Sequence, residues 1–159
     1  MADFGKAVAR LIDREGGYVK DADDAGGETK FGISKRSYPA LDIPNLTKED
    51  ARDVYFADFW DPLSCDSFAS QVVAEAVLDF AVTSSVKRSV RALQQAAGVA
   101  IDGVVGPQTL AAIAAGGDLV AARFTVIRMA YYAELARKQK KNQKFLAGWI
   151  LRSAAVLET

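Results

Sequence analysis

The residue of this sequence that is best placed to do chemistry is a glutamate at the end of a segment with helical periodicity. Apolar residues recur at helical spacing from Phe4 to Ile12, Glu15 closes the segment, and Gly16 and Gly17 follow it. At the C-terminal end of a helix, the negative end of the helix dipole favours the protonated form of a carboxyl group. Glu15 is therefore a candidate general acid. The alternative interpretation is a solvated glutamate at a helix end, as most charged residues are solvated.

The amino-acid composition excludes several kinds of catalytic site. The 159 residues include no histidine and one cysteine, Cys65. Ser-His-Asp and Cys-His mechanisms need an imidazole base, and zinc sites need several histidine or cysteine ligands. One cysteine also excludes an intramolecular disulfide and is typical of a protein made in a reducing compartment. If the protein is an enzyme, we therefore expect carboxyl groups to carry its protons, without a cofactor.

An acidic, glycine-rich turn follows Glu15 and offers a second carboxylate. Asp24 lies on this turn, where solvent should keep it ionised, whereas apolar groups such as Tyr18 and Phe31 should shield Glu15 from water. Glycoside hydrolysis uses such a division, because one carboxyl group protonates the leaving oxygen while a second group stabilises the oxocarbenium-like centre or activates water. The pattern predicts the acid at Glu15 and the second role at Asp24.

The same turn partly matches a calcium-binding loop. Asp21, Asp23 and Gly26 occupy three positions of that pattern, but Ala25 and Gly32 stand at the fifth and twelfth positions, where oxygen ligands are needed. We therefore expect no metal site.

Two stretches of the sequence resemble a known family. Residues 15–34 read EGGYVKDADDAGGETKFGIS, which resembles the signature of the glycoside hydrolase 108 muramidases, many of them phage endolysins. Residues 93–110 resemble the predicted peptidoglycan-binding region that accompanies that family, and residues 148–152 extend the resemblance towards the end of the chain. The resemblance implies a mainly α, lysozyme-like fold with a small β-hairpin near the catalytic cleft. It implies one domain over residues 1–159, with a catalytic lobe at 1–85 and a helical lobe at 86–159 that carries the peptidoglycan-binding segment.

The resemblance also assigns catalytic roles. It implies that Glu15 is the general acid, that Asp24 is the second carboxylate and that Thr29 holds the water molecule.

Four further residues are candidates for contact with substrate. Tyr18 and Phe31 flank the acidic turn, and Trp60 precedes Asp61-Pro62, where it could line a groove or join the core. The resemblance adds Asp79, although Thr83 to Ser85 follow where relatives commonly carry Asn-x-Gly.

The implied activity is that of a muramidase, or endolysin, which hydrolyses the β-1,4 bond between N-acetylmuramic acid and N-acetylglucosamine. One alternative is a lytic transglycosylase, which uses a glutamate acid but needs no partner to activate water. The other is a non-catalytic peptidoglycan-binding scaffold module.

Helical patterns cover most of the remaining sequence. Caps, prolines and apolar spacing predict helices at 47–59, 71–81, 86–97, from Pro107, at 118–140 and at 145–156, and they leave 17–34 for strands.

Charge and hydropathy restrict the partners. Twenty acidic and twenty basic residues balance, so nothing indicates nucleic-acid binding. No apolar run of roughly 18 to 20 residues, the length that spans a bilayer, stands out in the sequence, and we therefore expect no membrane insertion. We expect a monomer that binds peptidoglycan.

The N-terminal residues lack the apolar core of a signal peptide. We therefore expect the protein to stay in the host cytoplasm until a holin-like partner permeabilises the membrane and releases it to the periplasm and cell wall. A Gram-negative host that expresses the protein should keep its turbidity until chloroform is added, and lose it afterwards. Lysis without chloroform or a holin would contradict this prediction.

Overall fold

The computed structural model describes residues 1–20 and 27–158. Within these ranges helices dominate, as predicted, and a small sheet lies between the first two of them. The helices are α1 (Phe4–Glu15), α2 (Lys48–Tyr55), α3 (Gln71–Thr83), α4 (Val86–Ala97), α5 (Pro107–Lys138) and α6 (Leu146–Ala154). A π-helical turn, Phe56–Trp60, extends α2, and short 3-10 turns cover Cys65–Ser67, Lys140–Phe145 and Ala155–Glu158.

Side-chain caps fix where several helices begin. Thr47 caps α2 and forms a reciprocal capping box with Asp50, as its sequence position predicted. Asp3 accepts a hydrogen bond from the backbone N–H of Lys6 at the start of α1. Pro107 occupies the first turn of α5, where its missing N–H is not needed.

The sheet contains one strand more than the predicted hairpin. β1 (Val19–Lys20), β2 (Glu28–Lys30) and β3 (Ile33–Ser34) pair antiparallel in that order. Thr29 on the middle strand lies opposite Val19 on one side and Ser34 on the other. The tight turn between β2 and β3 depends on positive φ angles at Phe31 (52°) and Gly32 (77°), a region that favours glycine.

Helix α3 is the centre of the core. Every residue from Val73 to Ala81 is buried, and α3 packs against α1, α4 and α5. A helix that is buried on all sides is stable only when other elements surround it. Residues from both halves of the chain therefore join one hydrophobic cluster, which includes Leu11, Phe80 and Phe124.

The structure corrects the prediction that Trp60 lines a groove. Its side chain is fully buried, its Nε1 donates to Asp66 at 2.7 Å, and its ring lies 5.3 Å from that of Phe4. Trp60 joins the core instead. Its indole N–H has a hydrogen-bond partner at the edge of the core, so burial leaves no polar group of the side chain unsatisfied.

Helix α5 bends at a pair of glycines. Gly116 has non-helical dihedrals, which agrees with the predicted beginning of a second helical segment at about residue 118. A Cβ added at Gly117 would lie 3.0 Å from the Cβ of Ser70, so the missing side chain lets α5 approach the start of α3.

By length and composition, α5 is also apolar enough to cross a membrane, with a mean hydropathy of 1.6 over its most apolar 18-residue window. This corrects the expectation that the chain has no such run. Only 28% of that window is buried, although α5 packs against α3, α4 and α6.

The division into lobes at residue 85 stays a prediction, and packing around α3 gives it a test. Because α4 and α5 pack against α3, a fragment of residues 86–159 should lose a main apolar contact and unfold without cooperativity. Urea denaturation followed by circular dichroism, with the full chain as control, measures this. A cooperative transition of the fragment would establish an independent domain.

Candidate active site

Glu15 lies at the last position of α1, as the sequence predicted. Gly16 follows with φ of 76°, and its N–H donates to the carbonyl of Ile12 at 3.3 Å, which ends the helix. The Glu15 side chain is 19% exposed. Most of the Glu15 side chain is therefore covered, and a small part of it reaches solvent.

The turn between β2 and β3 lies directly against Glu15. A Cβ added at Gly32 would stand 2.8 Å from Cγ and 3.0 Å from Oε2 of Glu15, and closer still to the hydroxyl of Tyr55. That hydroxyl donates to the carbonyl of Phe31 at 2.7 Å. Burial, and then the charge of Glu15, raise the pKa of Tyr55, so its hydroxyl stays protonated and holds the turn. Only glycine at position 32 permits this approach.

Arg152 of α6 joins Glu15 to a buried carboxylate. Its Nη2 donates to Oε1 of Glu15 and, at 2.8 Å, to Oδ1 of Asp79, while its Nε donates to both oxygens of Asp79 at 3.1 and 3.0 Å. One planar guanidinium group thus holds two carboxylates in a fixed relation. The contact with Oε1 leaves Oε2 of Glu15 facing the turn at Gly32.

Asp79 is the centre of this network rather than a substrate contact. It is 3% exposed and accepts a further hydrogen bond from Arg128 of α5, while Arg14 of α1 lies 3.8 Å away. Burial alone would raise the pKa of Asp79, but the hydrogen bonds and charges of Arg152 and Arg128 outweigh it and lower the pKa. The prediction that Asp79 binds substrate is therefore corrected, because its oxygens are occupied by guanidinium groups below the surface.

Arg128 is itself buried, and aromatic rings surround its remaining nitrogens. Its guanidinium carbon lies 5.5 Å from the ring centroids of both Phe80 and Tyr132. Nε and Nη1 have no hydrogen-bond partner among the described residues. The faces of these rings thus stabilise the positive charge on the side of the Arg128 guanidinium that does not contact Asp79.

A cavity of about 350 Å³ opens beside the Gly32 turn. Its lining includes Tyr38, Tyr55, Asp58 and Phe59. The hydroxyl of Tyr38 donates to Asp58 at 2.6 Å, and burial and then this contact raise the pKa of Tyr38. Aromatic faces with a few polar groups are typical of sugar-sized binding sites.

The other predicted site residues lie on or near the sheet. Tyr18 is 42% exposed and contacts Glu28 at 3.2 Å, whereas Phe31 packs partly against the core. Thr29 is half-buried on β2, and strand alternation points its side chain away from those of Glu28 and Lys30. The second carboxylate, Asp24, lies outside the described residues, as do Asp21 and Asp23 of the calcium-like pattern.

Sequence reasoning missed the residues that hold Glu15 in place. Arg152 lies in the segment 148–152 that resembles the family, but nothing in its sequence context indicates a contact with Glu15. Tyr55, which holds the Gly32 turn against Glu15, fits only the helical periodicity of its segment. In the part of the chain that the structure describes, no group of three or more Asp, Glu or Cys residues could hold a metal ion.

Comparison with known proteins identifies both halves of the chain. The family model described as glycosyl hydrolase 108 matches residues 8–84, and the model described as a predicted peptidoglycan domain matches residues 88–154. The solved structure of Brucella abortus SagA is 31% identical, with a TM-score of 0.80, and the match covers 98% of this chain and 91% of that one. A search of curated proteins gave no match.

The lowered pKa of Asp79 predicts a pH dependence of stability. The unfolded carboxyl group has the ordinary value of 3.8, so the contribution of Asp79 is complete above that pH and is lost as the pH falls through the lower folded value. Asp79→Asn should therefore cost about 3 to 5 kcal/mol near neutral pH, where it breaks a buried pair, and clearly less in acid. Urea denaturation of wild type and variant, near neutral pH and again in acid, measures the loss of stability under each condition.

The control is Asp13→Asn, because the Asp13 side chain is 73% exposed and pairs only at the surface. It should change stability by less than about 0.5 kcal/mol at either pH. An equal loss for Asp79→Asn at both pH values would contradict the role of the charge.

Proposed function

This chain belongs to the glycosyl hydrolase 108 family, and we propose that it is a muramidase that hydrolyses the β-1,4 bond between N-acetylmuramic acid and N-acetylglucosamine with Glu15 as general acid. The family, together with the peptidoglycan-domain match, indicates a glycoside hydrolase that acts on peptidoglycan. The observation that carries the finer proposal is the geometry of Glu15, with Oε1 held by Arg152 and Oε2 directed at the Gly32 turn beside a cavity.

In the proposed mechanism, Oε2 of Glu15 carries the proton. Oε1 accepts the hydrogen bond from Arg152, and no described residue bonds Oε2, so Oε2 is the oxygen that can deliver the proton. The proton passes to the glycosidic oxygen as the bond from that oxygen to the anomeric carbon breaks. Water adds to the anomeric carbon, keeps one proton as the new hydroxyl group and gives the other to a base.

We propose Asp24 as the second carboxylate and Thr29 as the residue that holds water. Both follow Glu15 within the family signature, and Thr29 lies on the strand that leads into the Gly32 turn. Tyr18 and Phe31, on either side of the acidic turn, remain proposed contacts for the glycan. Asp24→Asn and Thr29→Ala should lower turnover for this reason.

Glu15→Gln provides the central test, because the amide keeps the shape but cannot donate the required proton. Turnover of purified peptidoglycan should fall by at least about a hundredfold. Asp13→Asn, two residues earlier on α1, is the matched control and should retain activity. Activity of Glu15→Gln above about a tenth of the wild-type level would exclude Glu15 as the acid.

Mass spectrometry of the wild-type digest separates the alternatives. Muropeptides with reducing ends support hydrolysis, whereas 1,6-anhydro products would establish a lytic transglycosylase. No product at all would favour a binding module.

Arg152→Lys tests whether the fork of hydrogen bonds positions Glu15. Lysine keeps the charge but cannot contact both carboxylates in one plane. A misplaced acid should lower kcat by the order of a hundredfold with little change in KM. Arg137→Lys is the control, since Arg137 pairs only with Glu134 at the surface. If Arg152→Lys raised KM and left kcat unchanged, Arg152 would act in binding instead.

A further inference from the structure

A groove between α4 and α5 has the chemistry of a second binding site. Two adjoining cavities, of about 650 and 450 Å³, share Gln95 and Ile127 in their linings. Volumes of this size suit a ligand of several residues. Most residues of the groove lie in the part of the chain that matches the peptidoglycan-domain model, residues 88–154, to which the proposed acid Glu15 does not belong.

The charged side chains that line the groove are cations. Lys87, Arg88, Arg91 and Arg123 line it, and no aspartate or glutamate of the described residues 1–20 and 27–158 does. The whole chain has a formal net charge of zero, so this excess of cations is local. Other arginines, such as Arg10 and Arg128, pair with carboxylates, but no described carboxylate pairs with the four cations of the groove.

The cations are partly oriented before any ligand binds. The guanidinium of Arg88 lies over the ring of Tyr131, 4.8 Å from its centroid. This contact restrains the guanidinium group beside the groove, and the N–H donors of a guanidinium can bind a carboxylate through two hydrogen bonds.

The floor of the groove is apolar and open to solvent. Ile101 is 44% exposed and Val126 is 65% exposed, and Ala92 and Ile127 continue the surface between the helices. Exposed apolar groups beside unpaired cations favour a ligand with small aliphatic side chains and several carboxylates.

We propose that this groove binds the stem peptide of peptidoglycan. The stem peptide combines alanine methyl groups with free carboxylates, whereas the acetylated sugars of the glycan strand are neutral and would leave the cations unpaired. The inference rests on the proposed function and deepens it, because the enzyme would recognise peptide-bearing glycan through a site separate from Glu15. On α3, Phe80 lines the groove, whereas its neighbour Asp79 binds Arg152, which contacts Glu15. Helix α3 therefore lies between the groove and the proposed active site.

Binding of a soluble stem tetrapeptide to the full chain, measured by isothermal titration calorimetry, tests the groove directly. The double variant Arg88→Gln with Arg91→Gln should weaken binding by at least about tenfold, since hydrogen bonds between charged groups are lost. The control is Arg137→Gln with Lys138→Gln, which removes the same charge at the exposed end of α5 and should bind like wild type. Equal weakening in both variants would overturn the site, as would the absence of tetrapeptide binding to the wild type.

Competition and turnover separate the remaining outcomes. In a competition experiment, inorganic phosphate is added at the same concentration as the tetrapeptide. Displacement of the tetrapeptide would indicate that the groove binds phosphate polymers and would overturn the proposal. The groove variant should raise KM for peptide-bearing glycan and leave cleavage of peptide-free glycan unchanged. If wild type binds the tetrapeptide but cleaves neither glycan, the proposed muramidase activity fails while the groove stands. If the groove variant cleaves each of the two glycans as well as wild type does, the proposed binding site in the groove fails while the proposed muramidase activity stands.

Discussion

The buried carboxylate of Asp79 is the constraint on which the rest of the structure depends. A charge that is 3% exposed is stable only when partners replace the water that it loses, and here Arg152 and Arg128 do so. These partners come from α6 and α5, while Asp79 belongs to α3. Arg152 then extends the network to Glu15 on α1. The position of the proposed acid is therefore determined by four helices through one buried charge.

This network also joins the two regions that family models recognise separately. Glu15 lies in residues 8–84 and Arg152 in residues 88–154. The second region thus supplies a direct contact to the proposed acid, in addition to any contact with the cell wall. Sequence boundaries between family models do not coincide here with the boundaries of the site.

Local patterns made most of the helices predictable, whereas the site required long-range information. Apolar spacing predicted α4 with the bounds that the structure has, because a periodic face is a property of neighbouring residues. The pairing of Arg152 with Glu15 joins residues 137 positions apart, and no periodicity encodes it. The burial of Trp60 was ambiguous for a related reason. It depends on two residues from other elements: Phe4, whose ring packs against the indole, and Asp66, which accepts the indole N–H.

The π-helical turn after α2 shows how closely the core and the cavity are linked. The N–H of Asp61 donates to the carbonyl of Phe56, five residues earlier, so this turn holds one residue more than an α-helical turn. Each residue of a helix rotates the next by about 100°. Loss of one residue would therefore turn Trp60 out of the core and move Phe59 away from the cavity. Length is therefore constrained more strictly than composition in this turn, and relatives should differ there by substitutions far more often than by deletions.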